Sequence, residues 1–197
     1  MEKNYGIVFI ETRPFPGLRK IFEDHLQYVD LKPFVVCSPL NSNQFDGYEK
    51  LVIDNPGSHR AYNQMITHPS FWRAIPFDKV LICERESMIL RPGIEEFYEW
   101  DYVGAPWTFQ QHGGNGGFSW RSVQSMIEVS FSYRIGSENE DVFFCNHFIG
   151  RMAPREVCSR FSMEAIYQEG TFGYHAIDNW HSPAVCEKIR QQYRNMK

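Results

Sequence analysis

The chain has 197 residues, 43% of them hydrophobic and 16% aromatic, enough for one domain with a sizeable core and too little for two comfortable ones. Its formal charge is -4 and its isoelectric point about 6.0, with basic residues scattered, so it carries no nucleic-acid footprint. No apolar run approaches the roughly 20 residues that a transmembrane segment needs. The five cysteines (37, 83, 145, 158 and 186) show neither CxxC nor Cys/His zinc spacing, which predicts reduced thiols. The charged start MEKNYGIVFIE leads directly into a strand without a signal-peptide pattern. A cytoplasmic location is expected.

In chain order, strands and helices alternate. Gly6 to Ile10 is a continuous apolar run, as in a strand buried on both faces. Residues 17 to 29 carry Leu18, Ile21, Phe22, Leu26 and Val29 at helical spacing. Phe34 to Cys37 and Tyr48 to Ile53 read as further strands, and Ser58 as the cap of a helix holding Tyr62, Met65 and Ile66. Val80 to Cys83 is the next strand, and Ile94 to Trp100 a short helix behind Pro92-Gly93. This β-α-β order predicts an α/β fold with a mainly parallel sheet covered by helices.

After Asp101 the texture changes. Glycine and aromatic residues rise, and a glycine loop runs from Gly113 to Gly117. Residues 121 to 131 and 141 to 149 read as helices, 170 to 177 as a late strand or loop, and 184 to 195 as a polar, peripheral helix. The expectation is a single domain over 1–197: a nucleotide-type half to about 100, a more irregular half from 101 to about 180, and a C-terminal helix from 184.

Chemistry concentrates where Val80 to Cys83 stops at Glu84 and Glu86. Carboxylates at i and i+2 of a strand end lie at the crevice outside an α/β sheet, where ligands bind. Paired carboxylates suit a hard cation, and such a cation suits a phosphate. That spacing alone also fits a solvated strand end. Arg85 between them either neutralises phosphate or faces solvent. A second acidic pair, Glu140-Asp141, fits a proton-accepting role and equally the first turn of a helix, which favours acids through its dipole. The glycine loop matches neither GxGxxG nor the P-loop pattern, and no GK[ST] follows it.

The segments ETRPFPGL, AYNQMITHPSFW, VLICERESMIL, YVGAPW, GNGGFSWRS, EDVFFC, FSME and GTFGYHA, in this order along nearly the whole chain, resemble a family of glycosyltransferase-like proteins from bacteria and large viruses. That family is itself similar to the GT-A glycosyltransferases. The resemblance implies a GT-A-like, Rossmann-related fold with a nucleotide-sugar donor on the first half and a carbohydrate acceptor on the second. A uridine-diphosphate sugar is the default donor of that fold class. It implies a divalent metal, Mn²⁺ or Mg²⁺, held by an acidic motif at Glu84-Arg85-Glu86-Ser87 and completed by His175. Relatives usually show Gln-x-Asp-Ser there, so Glu86 takes the aspartate's place and Glu84 the glutamine's, a departure for an ion that demands tight octahedral geometry.

The same resemblance implies Asp141 as the base of an inverting transfer, with Glu140 as the competing candidate. It assigns Glu11, Thr12, Arg13, Asn63 and Arg85 to the donor. Asn115, Gly116 and Gly117 fall to the acceptor sugar by close backbone approach. Trp107 either stacks on that sugar or packs in the core. Two alternatives keep related architecture: a catalytically inactive sugar- or nucleotide-binding module, and a sugar-nucleotide nucleotidyltransferase. The second lacks a Lys/Arg-bearing triphosphate loop after the first strand.

Overall fold

The computed structural model describes residues 3–194; residues 1–2 and 195–197 lie outside it, including the last position of the helix expected over 184–195. In chain order the elements are β1 (Tyr5–Ile10), α1 (Leu18–Leu26), β2 (Lys32–Cys37), β3 (Lys50–Val52), α2 (His59–Ile66), α3 (Pro69–Arg73), β4 (Lys79–Glu84), β5 (Ser87–Ile89), β6 (Tyr102–Gly104), β7 (Phe118–Ser122), α4 (Val123–Ser132), α5 (Glu140–Asn146), α6 (Arg155–Phe161), β8 (Ser162–Met163), β9 (Gly173–His175) and α7 (Pro183–Arg194).

The central sheet runs β3-β2-β1-β4-β7-β6. β1 to β4 pair in parallel, and β7 runs antiparallel to both β4 and β6. The largely parallel sheet flanked by helices is therefore as the sequence predicts. Its apolar strands feed two cores by simple alternation. Ile7 and Phe9 of β1 and Leu81 and Cys83 of β4 face one side, with Leu18 and Phe22 of α1 and Phe161 of α6. Val8, Ile10, Val80 and Ile82 face the other, against Ile66 of α2, Trp72 of α3, Met126 of α4 and Phe144 of α5. Each such fully buried side chain contributes roughly 1.5–3 kcal/mol by leaving water. The centre of the sheet is thus the rigid platform of the fold.

A smaller sheet, β5-β9-β8, stands beside the end of β4. α7 covers it through buried Cys186 and Ile189, packed with Leu90, Met163, Tyr174 and Ile177. This corrects the peripheral reading of the last helix: two residues a turn apart suffice to anchor an otherwise polar segment. Ile94–Phe97 forms a single 3-10 turn rather than a helix reaching Trp100. The helix expected from 121 begins at Val123, because Arg121 and Ser122 belong to β7 and the Ser122 hydroxyl accepts from Ser125 N–H as its cap. Ser58 caps α2 in the same way through Ala61 N–H. All five cysteines are free and buried. Among the described residues no helix is long and apolar enough to cross a membrane.

The candidate functional site

The strand order reverses between β1 and β4: from β1 the chain builds β2 and β3 on one side, then returns to place β4 on the other. At such a switch point the carboxyl ends of neighbouring strands leave a crevice. Glu11 follows β1 and Glu84 ends β4, so two acidic side chains stand on either side of it. A larger hollow of about 590 Å³, lined by residues such as Lys3, Tyr5, Arg73 and Asp78, lies at the opposite end of these strands. The crevice is the one at the carboxyl ends of the strands, where Glu11 and Glu84 stand.

Glu84 is the hub. Its Oε1 accepts from the Tyr62 hydroxyl of α2, and its Oε2 lies 3.6 Å from His175 Nε2 on β9. Burial works against its ionisation, but the hydrogen bonds and charge of His175 and the Tyr62 hydroxyl outweigh it, and the acid lies below its ordinary value. His175 Nδ1 meets Glu164 Oε1 at 3.1 Å. Burial opposes charge on the ring, yet the flanking Glu164 and Glu84 carboxylates win and push its pKa up to about 10. Glu164 also accepts from Asn115 Nδ2 at 2.9 Å, and its carbonyl meets His181 Nε2 at 2.6 Å. A chain of polar contacts thus runs Tyr62, Glu84, His175, Glu164, Asn115.

The glycine loop lies between this chain and α5. Gly117 N–H donates to Asn115 Oδ1 at 2.9 Å, and Gly117 O accepts from Glu84 N–H at 2.9 Å. Gly116 N–H donates to Asp141 Oδ2 at 3.3 Å. A Cβ on Gly116 would overlap the Glu140 carboxylate, and one on Gly117 would overlap the His175 ring. Glycine is required here for close approach.

The two acids at the start of α5 differ sharply. Glu140 is buried and held by Arg121 through two N–H···O contacts of 2.9 and 3.0 Å. Asp141 is half-buried and accepts from backbone N–H groups of Gly116 and Val142. Burial, reinforced by the charge of Glu140, pushes its pKa up to about 7, against the pull of those N–H groups and Arg121. Ile10, Tyr62, Glu84, Gly116, Arg121 and Glu140 line a small gap too narrow for a water molecule.

The remaining expected residues fall into two groups. Glu11, Arg13 and Arg85 come together: Glu11 accepts from Arg13 Nε and Nη2 at 2.8 Å each, and Arg85 Nε is 3.5 Å from Glu11 Oε2. Thr12 is buried beside them, its carbonyl accepting from Ser38 Oγ at 2.6 Å. Asn63 is turned elsewhere, 3.4 Å from the Asn139 side chain that precedes α5. Trp107 is buried in the core, and Phe109 stacks on its ring at 5.1 Å, so Trp107 presents no open face to a sugar.

Glu86 is the other departure. β4 ends at Glu84, and Arg85-Glu86 form the turn into β5. The two-residue alternation of a strand stops there, so Glu86 faces solvent with 45% of its side chain exposed and pairs with Arg85. The divalent cation implied by the fold family has no matching set of ligands in this arrangement. Glu86 pairs with Arg85, while both oxygens of Glu84 face protein partners. Among the described residues no group of three His, Cys, Asp or Glu is disposed to hold an ion.

Tyr62, Glu164 and Arg121 were not legible as site residues in the sequence. Tyr62 lies within a helix read for its apolar face, Arg121 at an expected helix start, and Glu164 in the FSME segment, to which the resemblance assigned no role. A buried, ion-paired arginine leaves no periodic signal.

Residues 48–175 match the family described as "Protein of unknown function (DUF5672)". The fold is similar to that of the apo-form glycosyltransferase GlyE of Streptococcus pneumoniae TIGR4, with a TM-score of 0.55 at 12% identity. That likeness covers 98% of this chain and 60% of the other, so the chain spans about three fifths of the length of the enzyme it resembles. No curated protein matches the chain.

Proposed function

We propose that this chain, which belongs to the DUF5672 family, transfers a sugar from a nucleotide-sugar donor to a carbohydrate or glycoconjugate acceptor with inversion. The observation that carries the reading is Asp141: a half-buried carboxylate beside the glycine loop, held by backbone N–H groups while its neighbour Glu140 is spent on Arg121. The glycosyltransferase fold of GlyE supports the reaction class.

In this reading the donor lies over the ends of β1 and β4, with Glu11, Thr12, Arg13 and Arg85 around its nucleotide and diphosphate. The acceptor lies along Asn115, Gly116 and Gly117. Asp141 takes the proton of the acceptor hydroxyl as that oxygen bonds to the anomeric carbon. The bond from that carbon to the diphosphate breaks, and its electron pair leaves with the diphosphate. A base whose pKa lies near 7 is matched to neutral pH, and such proton transfer contributes about 10²–10⁴-fold.

A binding module without catalysis is the second reading, favoured by the engagement of Glu84 with Tyr62 and His175. The two are separated by incubating the protein with nucleotide sugars and a saccharide panel and measuring nucleoside diphosphate release. Release that depends on acceptor and is lost in Asp141→Asn is the expected result. Nucleotide-sugar binding without release would establish the module instead.

A further inference from the structure

The crevice between β1 and β4 already contains a built cationic group. The Arg85 guanidinium lies 4.1 Å from the centre of the Phe15 ring, and Arg13 lies 5.2 Å from the same ring. Both converge on Glu11, whose side chain is only 2% exposed. Glu11 is itself held in place, since the Asn41 amide donates to the carbonyls of Glu11 and Arg13 at 2.8 and 3.0 Å. Arg85 Nε is buried and makes no hydrogen bond, its 3.5 Å approach to Glu11 being an ion contact only. The other partner of Arg85 is Glu86, on the surface.

From this geometry we infer that Arg85, stacked on Phe15 and braced with Arg13 through Glu11, is the cation that meets the donor diphosphate, where the fold family uses a divalent metal. The inference rests on the nucleotide-sugar reading above. Three physical points support it. A guanidinium presents parallel N–H donors that match two phosphate oxygens, and stacking on an aromatic ring fixes their plane. Exposed ion pairs are weak, so a diphosphate exchanges readily for the Glu86 carboxylate. Glu84 at the strand end already meets Tyr62 and lies 3.6 Å from His175, and among the described residues no group of three His, Cys, Asp or Glu is disposed to hold an ion. Arg85 also stands one residue from Glu84, directly over the strand end where a diphosphate belongs.

The test is calorimetric titration of the full chain with uridine diphosphate, guanosine diphosphate and inorganic pyrophosphate, once in EDTA and once in Mn²⁺. At least one should bind in EDTA with a Kd within about threefold of that in Mn²⁺. Arg85→Met should weaken that binding by about tenfold or more, and Arg85→Lys, which keeps charge but loses the planar fork, should weaken it too. Glu86→Gln should tighten it by releasing Arg85. Thermal denaturation establishes that each variant is folded. Binding that requires Mn²⁺ and is lost in Glu86→Gln overturns the arginine assignment and leaves the nucleotide-sugar reading standing. So does binding in EDTA that Arg85→Met leaves intact. No binding under either condition by the folded protein overturns both.

Discussion

Arg121 on β7 and Glu140 on α5 form a two-pronged buried ion pair, with contacts of 2.9 and 3.0 Å. The rings of Trp72, Tyr102 and Phe144 surround the guanidinium at 5.6, 5.1 and 5.5 Å. The pair ties the antiparallel part of the sheet to the helix that carries Asp141. Removing one partner of a buried pair strands the other charge in an apolar surround and costs about 3–5 kcal/mol. Glu140→Gln is therefore expected to lose about that much in urea denaturation, and Arg121→Met combined with Glu140→Leu to recover most of it. A Glu140→Gln protein as stable as the parent, yet without activity, would return Glu140 to the list of bases.

Asp141 makes a prediction about pH that has two opposite signs. Its folded pKa is raised from 3.8 to about 7. Between those values the folded chain holds a proton that the unfolded chain has lost. The stability it contributes is fully present below 3.8 and is lost as pH rises through about 7. Activity runs the other way, because only the ionised carboxylate accepts a proton: kcat/KM should climb with pH and level off above about 7. Asp141→Asn should abolish transfer and gain stability relative to the parent on the alkaline side. Paired denaturation and rate profiles check both; a flat rate profile between pH 5 and 8, as approximate limits, removes Asp141 from the mechanism.

Gly117 tests the fit of the glycine loop against His175. Alanine there would overlap the imidazole ring, which cannot retreat because Glu164 holds its other nitrogen at 3.1 Å. Gly117→Ala is expected to displace the ring, lowering stability by about 1–3 kcal/mol, as overpacking does, and to depress transfer more than Asn115→Ala does. The His175 ring resonances report the displacement directly. Unchanged resonances in a folded Gly117→Ala protein would mean that the loop, not the ring, gives way.

The contrast between Glu84 and Glu86 shows where sequence reading stops. The apolar runs at Gly6–Ile10 and Val80–Cys83 announce central strands because they are buried on both faces, and Ser58 announces its helix because capping is a local interaction. Carboxylates at i and i+2 share a face only while the strand continues, and this one ends at Glu84. Where the hydrogen-bonded ladder stops is a property of its neighbours in the sheet: pairing with β7 ends at Cys83 opposite Phe118, and pairing with β1 ends at Glu84 opposite Ile10. Nothing near Glu86 in sequence carries that information. Glu164 is hidden for a related reason: its partners His175 and Asn115 are brought to it by the small sheet and the glycine loop, 11 and 49 positions away. The strands of that sheet are three residues or fewer, too short to leave a period-two signal.

His25 offers a test of the core that is independent of any ligand. It ends the buried face of α1 between the rings of Phe9 and Phe118, both centred 6.5 Å from its own. Neither ring nitrogen has a hydrogen-bond partner of good geometry. Burial pushes its pKa down from 6.5 to about 4, with the charge of Asp24 and the Ser87 backbone pulling weakly the other way. The folded value lies below the unfolded one, so the unfolded chain binds the extra proton in between. Above pH 6.5 the ring is neutral in both states and exerts no pH dependence. As pH falls from 6.5 towards about 4, stability is progressively lost, by at most about 3 kcal/mol. His25→Phe keeps an aromatic ring in contact with Phe9 and Phe118 and removes the titration. Its urea midpoint should therefore fall less steeply than the parent's over that interval while matching or exceeding it at pH 5. A parent and variant that lose stability in parallel would mean that water reaches the His25 ring and that the core at this point is open.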